Sequence, residues 1–243
     1  MSHQSNQVVE SISVVIPTLN EATHIRTCLK SLSQSSTPIN EIFVVDGGSQ
    51  DETKSMIKGF PVRLLESKKG RGYQISLGVK ACRSDAVLVL HADASLPPDV
   101  AKTIISVLNK NPDVVGGEIG QRFVSTTPKP ILLLVEALND FRATWQSGSF
   151  GDQGQFFRRA SIEQAGGFPN IPLMEDVELT AQLNKKGSLV FLDGGLQCSA
   201  RRWEKDNATE RFLLVLSLVV RYKFLKLIGK DPSKKLFEEY YRS

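Results

Sequence analysis

The chain has 243 residues, of which 41% are hydrophobic and 23% charged. That composition excludes a disordered or fibrous polymer and leaves room for one large α/β domain or two small ones. The formal net charge of +4 suits anionic ligands or a membrane surface but is too weak to argue for nucleic acid. Cys28, Cys82 and Cys198 stand far apart and odd in number, which argues against a disulfide framework and points to a reducing, cytoplasmic compartment.

The first ten residues are polar, with no apolar stretch of a signal peptide, and are expected to form a disordered tail. Ser11 to Ile16 reads as a strand that ends in Pro17-Thr18-Leu19-Asn20-Glu21. Thr23 to Leu32 has helical spacing, with Ile25, Cys28, Leu29 and Leu32 on one face. Glu41 to Val45 is a second strand, ending in Asp46-Gly47-Gly48-Ser49-Gln50-Asp51, and Thr53 to Lys58 is a helix. Pro61 to Glu66 is a short strand. Lys68-Lys69-Gly70-Arg71-Gly72 is a basic turn opening a helix that runs through Lys80. Val87 to Leu90 is a fully apolar strand that delivers His91-Ala92-Asp93 to its C-terminal edge. This β-α-β-α alternation predicts a mostly parallel sheet, with ligands at the carboxyl ends of its strands.

The second half is less regular. Asp99 to Leu108 and the apolar stretch Pro130 to Arg142 read as helices, Val114 to Val124 as a strand, and Gly148 to Gly154 as a glycine-rich loop. A strand at Phe156–Arg159, a short helix from Ser161 to Ala165 and a helix from Glu175 to Lys185 follow. A strand at Leu189–Leu192 precedes Ser199-Ala200-Arg201-Arg202-Trp203. From Ala208 onward the chain is helical and amphipathic.

Several side chains carry chemistry in this pattern, each beside a plainer structural reading. Asp46, at a strand end before paired glycines, can accept hydrogen bonds from a base or ribose, whereas Asp51 is better explained as a local cap. Arg71, between glycines, suits a diphosphate, while Lys68 and Lys69 read as a solvated turn. Asp93 offers the hard oxygen that a divalent ion shared with phosphate prefers, and His91 is either a ligand or a hydrogen-bonding histidine. Glu175 and Asp176 open a helix, where they serve either as capping acids or as a general base. Arg202 and Trp203 can hold a phosphate and stack on a sugar, or simply pack. Phe212 to Ile228 is strongly apolar but carries Arg221, Lys223 and Lys226. It falls short of a clean membrane span and either lies in a membrane interface or packs on the domain or on a second subunit as a homodimer.

Taken in order, Pro17 to Glu21, Val45 to Asp51, Lys69 to Gly72, His91 to Asp93, Gly151-Asp152-Gln153-Gly154, Gly166-Gly167-Phe168 and Glu175 to Glu178 resemble the motif series of family 2 glycosyltransferases with the GT-A fold. The likeness runs from about Ile12 to Trp203. It is strongest to a small single-domain bacterial subgroup with Gly-Asp-Gln-Gly and Pro-Leu-Met-Glu-Asp, here residues 151–154 and 172–176. The resemblance implies a GT-A, Rossmann-like, mostly parallel sheet over residues 11–207, followed by a helical extension over 208–243. It implies transfer from a nucleotide-sugar donor, expected to be a UDP-sugar, to an acceptor hydroxyl with inversion.

In that reading Pro17, Glu21, Asp46, Gly48, Arg71 and His91 line the nucleotide, and Asp93 holds Mn²⁺ or Mg²⁺. Asp176, with Glu175 beside it, is the general base. Asp152, Gln153, Arg202 and Trp203 belong to the donor and acceptor loops. His91 departs from the family pattern, because it stands where the first acid of the Asp-x-Asp motif belongs. The basic tail implies a lipid or lipid-linked acceptor and peripheral contact with the inner face of the cell membrane.

Two other functions fit less well. A sugar-nucleotide nucleotidyltransferase wants a long glycine-rich basic loop after the first strand, where this chain has Pro17 to Glu21. A non-catalytic membrane-surface protein would leave the polar clusters at three strand ends without a purpose.

Overall fold

The structure, a computed structural model, describes residues 8–124, 130, 132–137, 154–201 and 208–242. Among the described residues eight strands form one mixed sheet in the order β3-β2-β1-β4-β7-β6-β8-β5. The first half is the expected parallel unit. Strand β1 (Ile12–Thr18) lies between β2 (Glu41–Asp46) and β4 (Ala86–Val89), and β3 (Arg63–Glu66) pairs outside β2. Helices α1 (Ile25–Ser33), α2 (Thr53–Met56) and α3 (Arg71–Ala81) make the crossovers. Pro17 is tolerated in a central strand because pairing with β4 ends at Val15, before the ring that lacks an N–H is reached.

Strand alternation splits the core into two layers. Val14, Ile16, Leu88 and Leu90 face α1 and α4 (Val100–Lys110). Val15, Val45, Val87 and Val89 face α3 and α6 (Glu175–Leu183). The apolar face expected on α1 is the buried one, with Ile25, Cys28, Leu29 and Leu32 all covered.

The second half makes the sheet mixed. Strand β7 (Gly154–Arg158) runs antiparallel to both β4 and β6 (Val114–Val124). Strand β8 is far longer than its apolar run, Ser188–Ser199, because a register shift lets it follow β6 past Gly194 and Gly195. Its end pairs with a two-residue strand, β5 (Ala94–Ser95), just after Asp93. Helix α5 (Arg159–Gln164) starts two residues earlier than its spacing suggests, directly off β7.

Residues 130 and 132–137 are helical within the expected apolar stretch. The C-terminal extension is two helices, α7 (Ala208–Leu227) and α8 (Ser233–Arg242), parted at Gly229 and Pro232. The end of the polar N-terminal stretch is ordered: Val9 is buried and its N–H donates to Asn109 Oδ1 at 2.8 Å.

Helix α3 approaches the sheet closely because Gly78 has no side chain. A Cβ there would lie 2.4 Å from Val15 Cγ1 and 3.0 Å from Val45 Cγ2. Alanine gains about 1 kcal/mol of helix propensity at an interior position. The collision is with a stiff, fully buried valine and outweighs that gain. Gly78→Ala is expected to destabilise the chain by about 1–3 kcal/mol in urea unfolding.

Candidate functional site

The polar residues converge where strands β1, β2 and β4 end. Asp46, 1% exposed, closes its own loop. Its Oδ2 accepts the N–H groups of Gly48 at 3.0 Å and Ser49 at 2.9 Å, and its Oδ1 accepts the Ser49 hydroxyl at 2.5 Å. Gly48 takes φ +95, which glycine allows. Asp51 accepts the N–H of Thr53, two residues on, at 3.0 Å and that of Ala22, 29 residues earlier, at 3.1 Å; the cap position of α2 is Glu52, without a side-chain cap bond, so Asp51 is not the helix cap its place suggested. Gln74, which sequence reasoning passed over, is buried in α3 and donates from Nε2 to the carbonyls of Thr18 at 2.7 Å and Val45 at 2.8 Å. It ties the ends of β1 and β2 together beneath the Asp46 loop.

Arg71 reaches across to the acids of α6. Its Nε donates to Glu175 Oε1, and its Nη2 to Asp176 Oδ2 at 3.2 Å. Gly72 makes this contact possible, because a Cβ there would lie 2.1 Å from the Ile171 carbonyl oxygen. The glycines around Arg71 therefore serve close packing of α3 on the segment before α6. The acids are not side-chain caps. Met174 occupies the cap position in the left-handed region at φ 65, with no side-chain cap bond. Asp176 Oδ1 accepts the Val177 N–H at 2.8 Å.

Glu178 turns the other way, accepting the Tyr222 hydroxyl at 2.9 Å and standing 3.0 Å from Lys226 Nζ, both on α7. Burial and the neighbouring Glu178 carboxylate raise the Tyr222 phenol above its usual range.

Glu175 is fully buried, and its Oε2 has no hydrogen-bond partner. Burial pushes its carboxyl up to about 7; the Arg71 charge opposes this and the Asp176 charge adds to it.

On the other face of the sheet stands a second arginine that the sequence did not single out. Arg201 Nη2 donates to both Glu21 oxygens, each at 2.5 Å, and lies 3.4 Å from Asp93 Oδ2. Its Nη1 is 3.2 Å from His24 Nδ1. Arg201 arrives there because β8 pairs with β5 and the Ser199 N–H donates to the Asp93 carbonyl at 3.1 Å. A signal existed, since Ser199-Ala200-Arg201 directly follows β8. The resemblance points instead to the neighbouring Arg202. Burial and the Arg201 charge hold His24 below its usual pKa, with Asp93 opposing. A cavity of about 260 Å³ adjoins Asp93, lined by His24, Thr27, Cys28, Ser95, Gln197 and Ser199 among others.

Pro17, Glu21, Asp46, Gly48, His91 and Asp93 thus share one sheet edge, with Arg71, Glu175 and Asp176 on its α3 side. Asp152, Gln153, Arg202 and Trp203 lie outside the described residues. Among the described residues no group of three or more His, Cys, Asp or Glu side chains gathers to cage an ion. Asp93, beside His91, fits the other kind of divalent site. There one carboxylate suffices and the rest of the coordination comes from phosphate oxygens and water.

The family model described as Glycosyl transferase family 2 matches residues 13–166. The chain belongs to that family. A dolichol-phosphate mannosyltransferase of Pyrococcus furiosus is 29% identical over 120 residues, 46% of this chain and 33% of that protein. An undecaprenyl-phosphate 4-deoxy-4-formamido-L-arabinose transferase of Pseudomonas savastanoi is 27% identical over 44% of this chain and 35% of its own length. The chain therefore spans about a third of the length of these relatives.

Among solved structures, mannosyltransferase PcManGT from Pyrobaculum calidifontis, in complex with GDP-Man and Mn²⁺, aligns with TM-score 0.69 and 20% identity. The alignment covers 97% of this chain and 70% of that one. S. aureus TarS 1-349 in complex with UDP aligns with TM-score 0.62 and 17% identity, over 78% of this chain and 60% of that one. The fold of this family 2 chain is GT-A.

The raised carboxyl of Glu175 has a sign. Its folded form holds the proton more tightly than the unfolded chain, so its contribution to stability is fully present below about 4.5 and is lost as pH rises through about 7. Glu175→Gln keeps an acceptor for Arg71 and cannot titrate. Melting temperatures measured across that window are expected to fall for the wild type and to flatten for the variant.

Proposed function

We propose that this family 2 chain is an inverting glycosyltransferase, moving a sugar from a nucleotide-sugar donor, a UDP-sugar, to the hydroxyl of a lipid-linked acceptor. The observation that carries the reading is the sharing of one guanidinium, Arg71, between Glu175 and Asp176 beside the strand ends. In this reading Asp176 takes the acceptor proton, and attack proceeds in line with the departing nucleotide. Glu175 anchors Arg71, so the guanidinium holds Asp176 at a fixed orientation through Oδ2. The Asp46 loop and Glu21 form the nucleoside side of the site, and Asp93 with His91 the diphosphate side. A divalent ion held by Asp93 would supply positive charge to the leaving diphosphate.

Support for donor and metal classes comes from neighbours of the same fold, which were solved with UDP, GDP-Man and Mn²⁺. Support for a lipid carrier comes from the names of relatives that act on dolichol phosphate and undecaprenyl phosphate. In this reading the chain works at the inner face of a membrane by peripheral contact. No helix among the described residues is long and apolar enough to cross one.

The test is a thermal-shift screen against UDP-, GDP-, dTDP- and CMP-sugars with Mn²⁺, Mg²⁺ or EDTA, since a ligand that binds only the folded state raises its stability. A UDP-sugar with metal is expected to raise the melting temperature, and Asp93→Ala to abolish the metal-dependent part. Asp176→Asn is expected to keep the nucleotide shift and lower transfer by roughly 100-fold or more. Equal transfer by the two proteins removes Asp176 from the mechanism.

A further inference from the structure

Helix α7 is apolar on two opposite faces, and the fold covers only one. Leu218, Val219 and Tyr222 are buried against Leu173 and Met174, the residues that lead into Glu175 and Asp176. Leu213, Leu216, Val220, Phe224 and Leu227 are exposed, Phe224 by 61% and Leu227 by 84%. At 3.6 residues per turn these five side chains fall within an arc of about 80°, opposite the buried face. Five large apolar groups in one stripe exceed the scattered surface hydrophobes of an ordinary soluble domain.

Charge identifies what covers the stripe. Residues 208–243 carry eight Lys and Arg against four Asp and Glu, so the whole formal excess of +4 in the chain resides in this extension. Arg221 is paired with Glu239, and Lys226 with Glu178. Lys223 and Lys230 are exposed, and among the described residues no ion pair holds either. Lys223 borders the stripe at helical spacing, and Glu210, the one acid of α7, stands three residues before Leu213 at the opposite border. A partner with an apolar interior and an anionic surface answers both features at once.

We propose that the outward face of α7 is a membrane-docking surface that lies on an anionic bilayer. Leu213, Leu216, Val220, Phe224 and Leu227 enter the acyl boundary, and Lys223 and Lys230 stand at headgroup level. The same helix packs by its inner face on the segment bearing Asp176, so docking sets that carboxylate at a fixed height above the lipid. That last consequence rests on the glycosyltransferase reading; the docking itself does not.

The test is co-sedimentation of the full chain with vesicles of phosphatidylcholine alone and of phosphatidylcholine mixed with phosphatidylglycerol, without nucleotide. The wild type is expected to partition onto the mixed vesicles at least about tenfold more strongly than onto the neutral ones. Val220→Glu combined with Phe224→Glu is expected to lower binding to the mixed vesicles by about tenfold or more. Lys223→Glu combined with Lys230→Glu is expected to erase the preference for anionic lipid. These positions are exposed, and an unchanged melting temperature verifies that the variants fold.

Three results overturn the proposal. They are a wild type that stays in the supernatant with both vesicles, a wild type that binds both equally with no effect of the Glu substitutions, and a dimer that Val220→Glu with Phe224→Glu dissociates. Failure of the glycosyltransferase reading shows separately, as the absence of any nucleotide-induced thermal shift in vesicle-free solution.

Discussion

One guanidinium holds two buried acids, and much of this fold exists to bring the three together. Glu175 and Asp176 are 0% and 2% exposed. Two carboxylates at that depth need a cation beside them, because desolvation and mutual repulsion both penalise their charge. Arg71 supplies it from the first turn of a different helix. The contact requires α3 to lie against the segment before α6, and a Cβ on Gly72 would prevent that. It also requires the chain to turn sharply into α6, which Met174 does in the left-handed region. The parallel sheet matters to the site mainly because it fixes where the start of α3 stands.

Arg201 is the counterpart on the other face of the sheet. Arg71 binds acids on the α3 side, and Arg201 binds Glu21 and Asp93 on the α1 side. Each joins residues far apart in sequence, 104 positions for Arg71 with Glu175 and 180 for Arg201 with Glu21. The strand ends between them carry Asp46, whose oxygens are already taken by its own loop. A ligand arriving at this edge meets carboxylates held in place by arginines and a backbone turn, so little side-chain ordering remains to oppose binding.

Local features of this arrangement were legible in the sequence, and long-range ones were not. The apolar runs of β1, β2 and β4 and the polar clusters at their ends follow from the burial of a parallel sheet on both faces. The spacing of Ile25, Cys28, Leu29 and Leu32 marked the buried face of α1. Asp51 was recognisable as a local hydrogen-bond acceptor because Thr53 is two residues away. Arg201 was not distinguishable from Arg202, because the choice depends on β8 continuing to Ser199 beside β5. That continuation passes through Gly194 and Gly195, beyond the Leu189–Leu192 stretch that the apolar run marks. Gln74 has no signal of its own; its importance comes from two carbonyls at the ends of β1 and β2. Glu175 and Asp176 were visible as acids at a helix start, but their partner stands about a hundred residues earlier.

The C-terminal extension is helical as expected, and α7 carries more apolar surface than one buried face. An amphipathic helix has one face to bury, and such a face would be satisfied by the domain. This helix meets the domain with Leu218, Val219 and Tyr222, and still presents an apolar stripe on the far side. Packing on the domain accounts for the inner face alone, and the outer stripe is the face from which docking is proposed. The inner face is bound by a hydroxyl from Tyr222 and an ammonium from Lys226, both directed to Glu178, two residues beyond Asp176. A half-buried hydroxyl–carboxylate bond at that point makes sliding of α7 costly, because it would leave the Tyr222 hydroxyl without its partner. The helix that bears the outer stripe is thus tied, through Glu178, to the helix that carries the acids Arg71 holds.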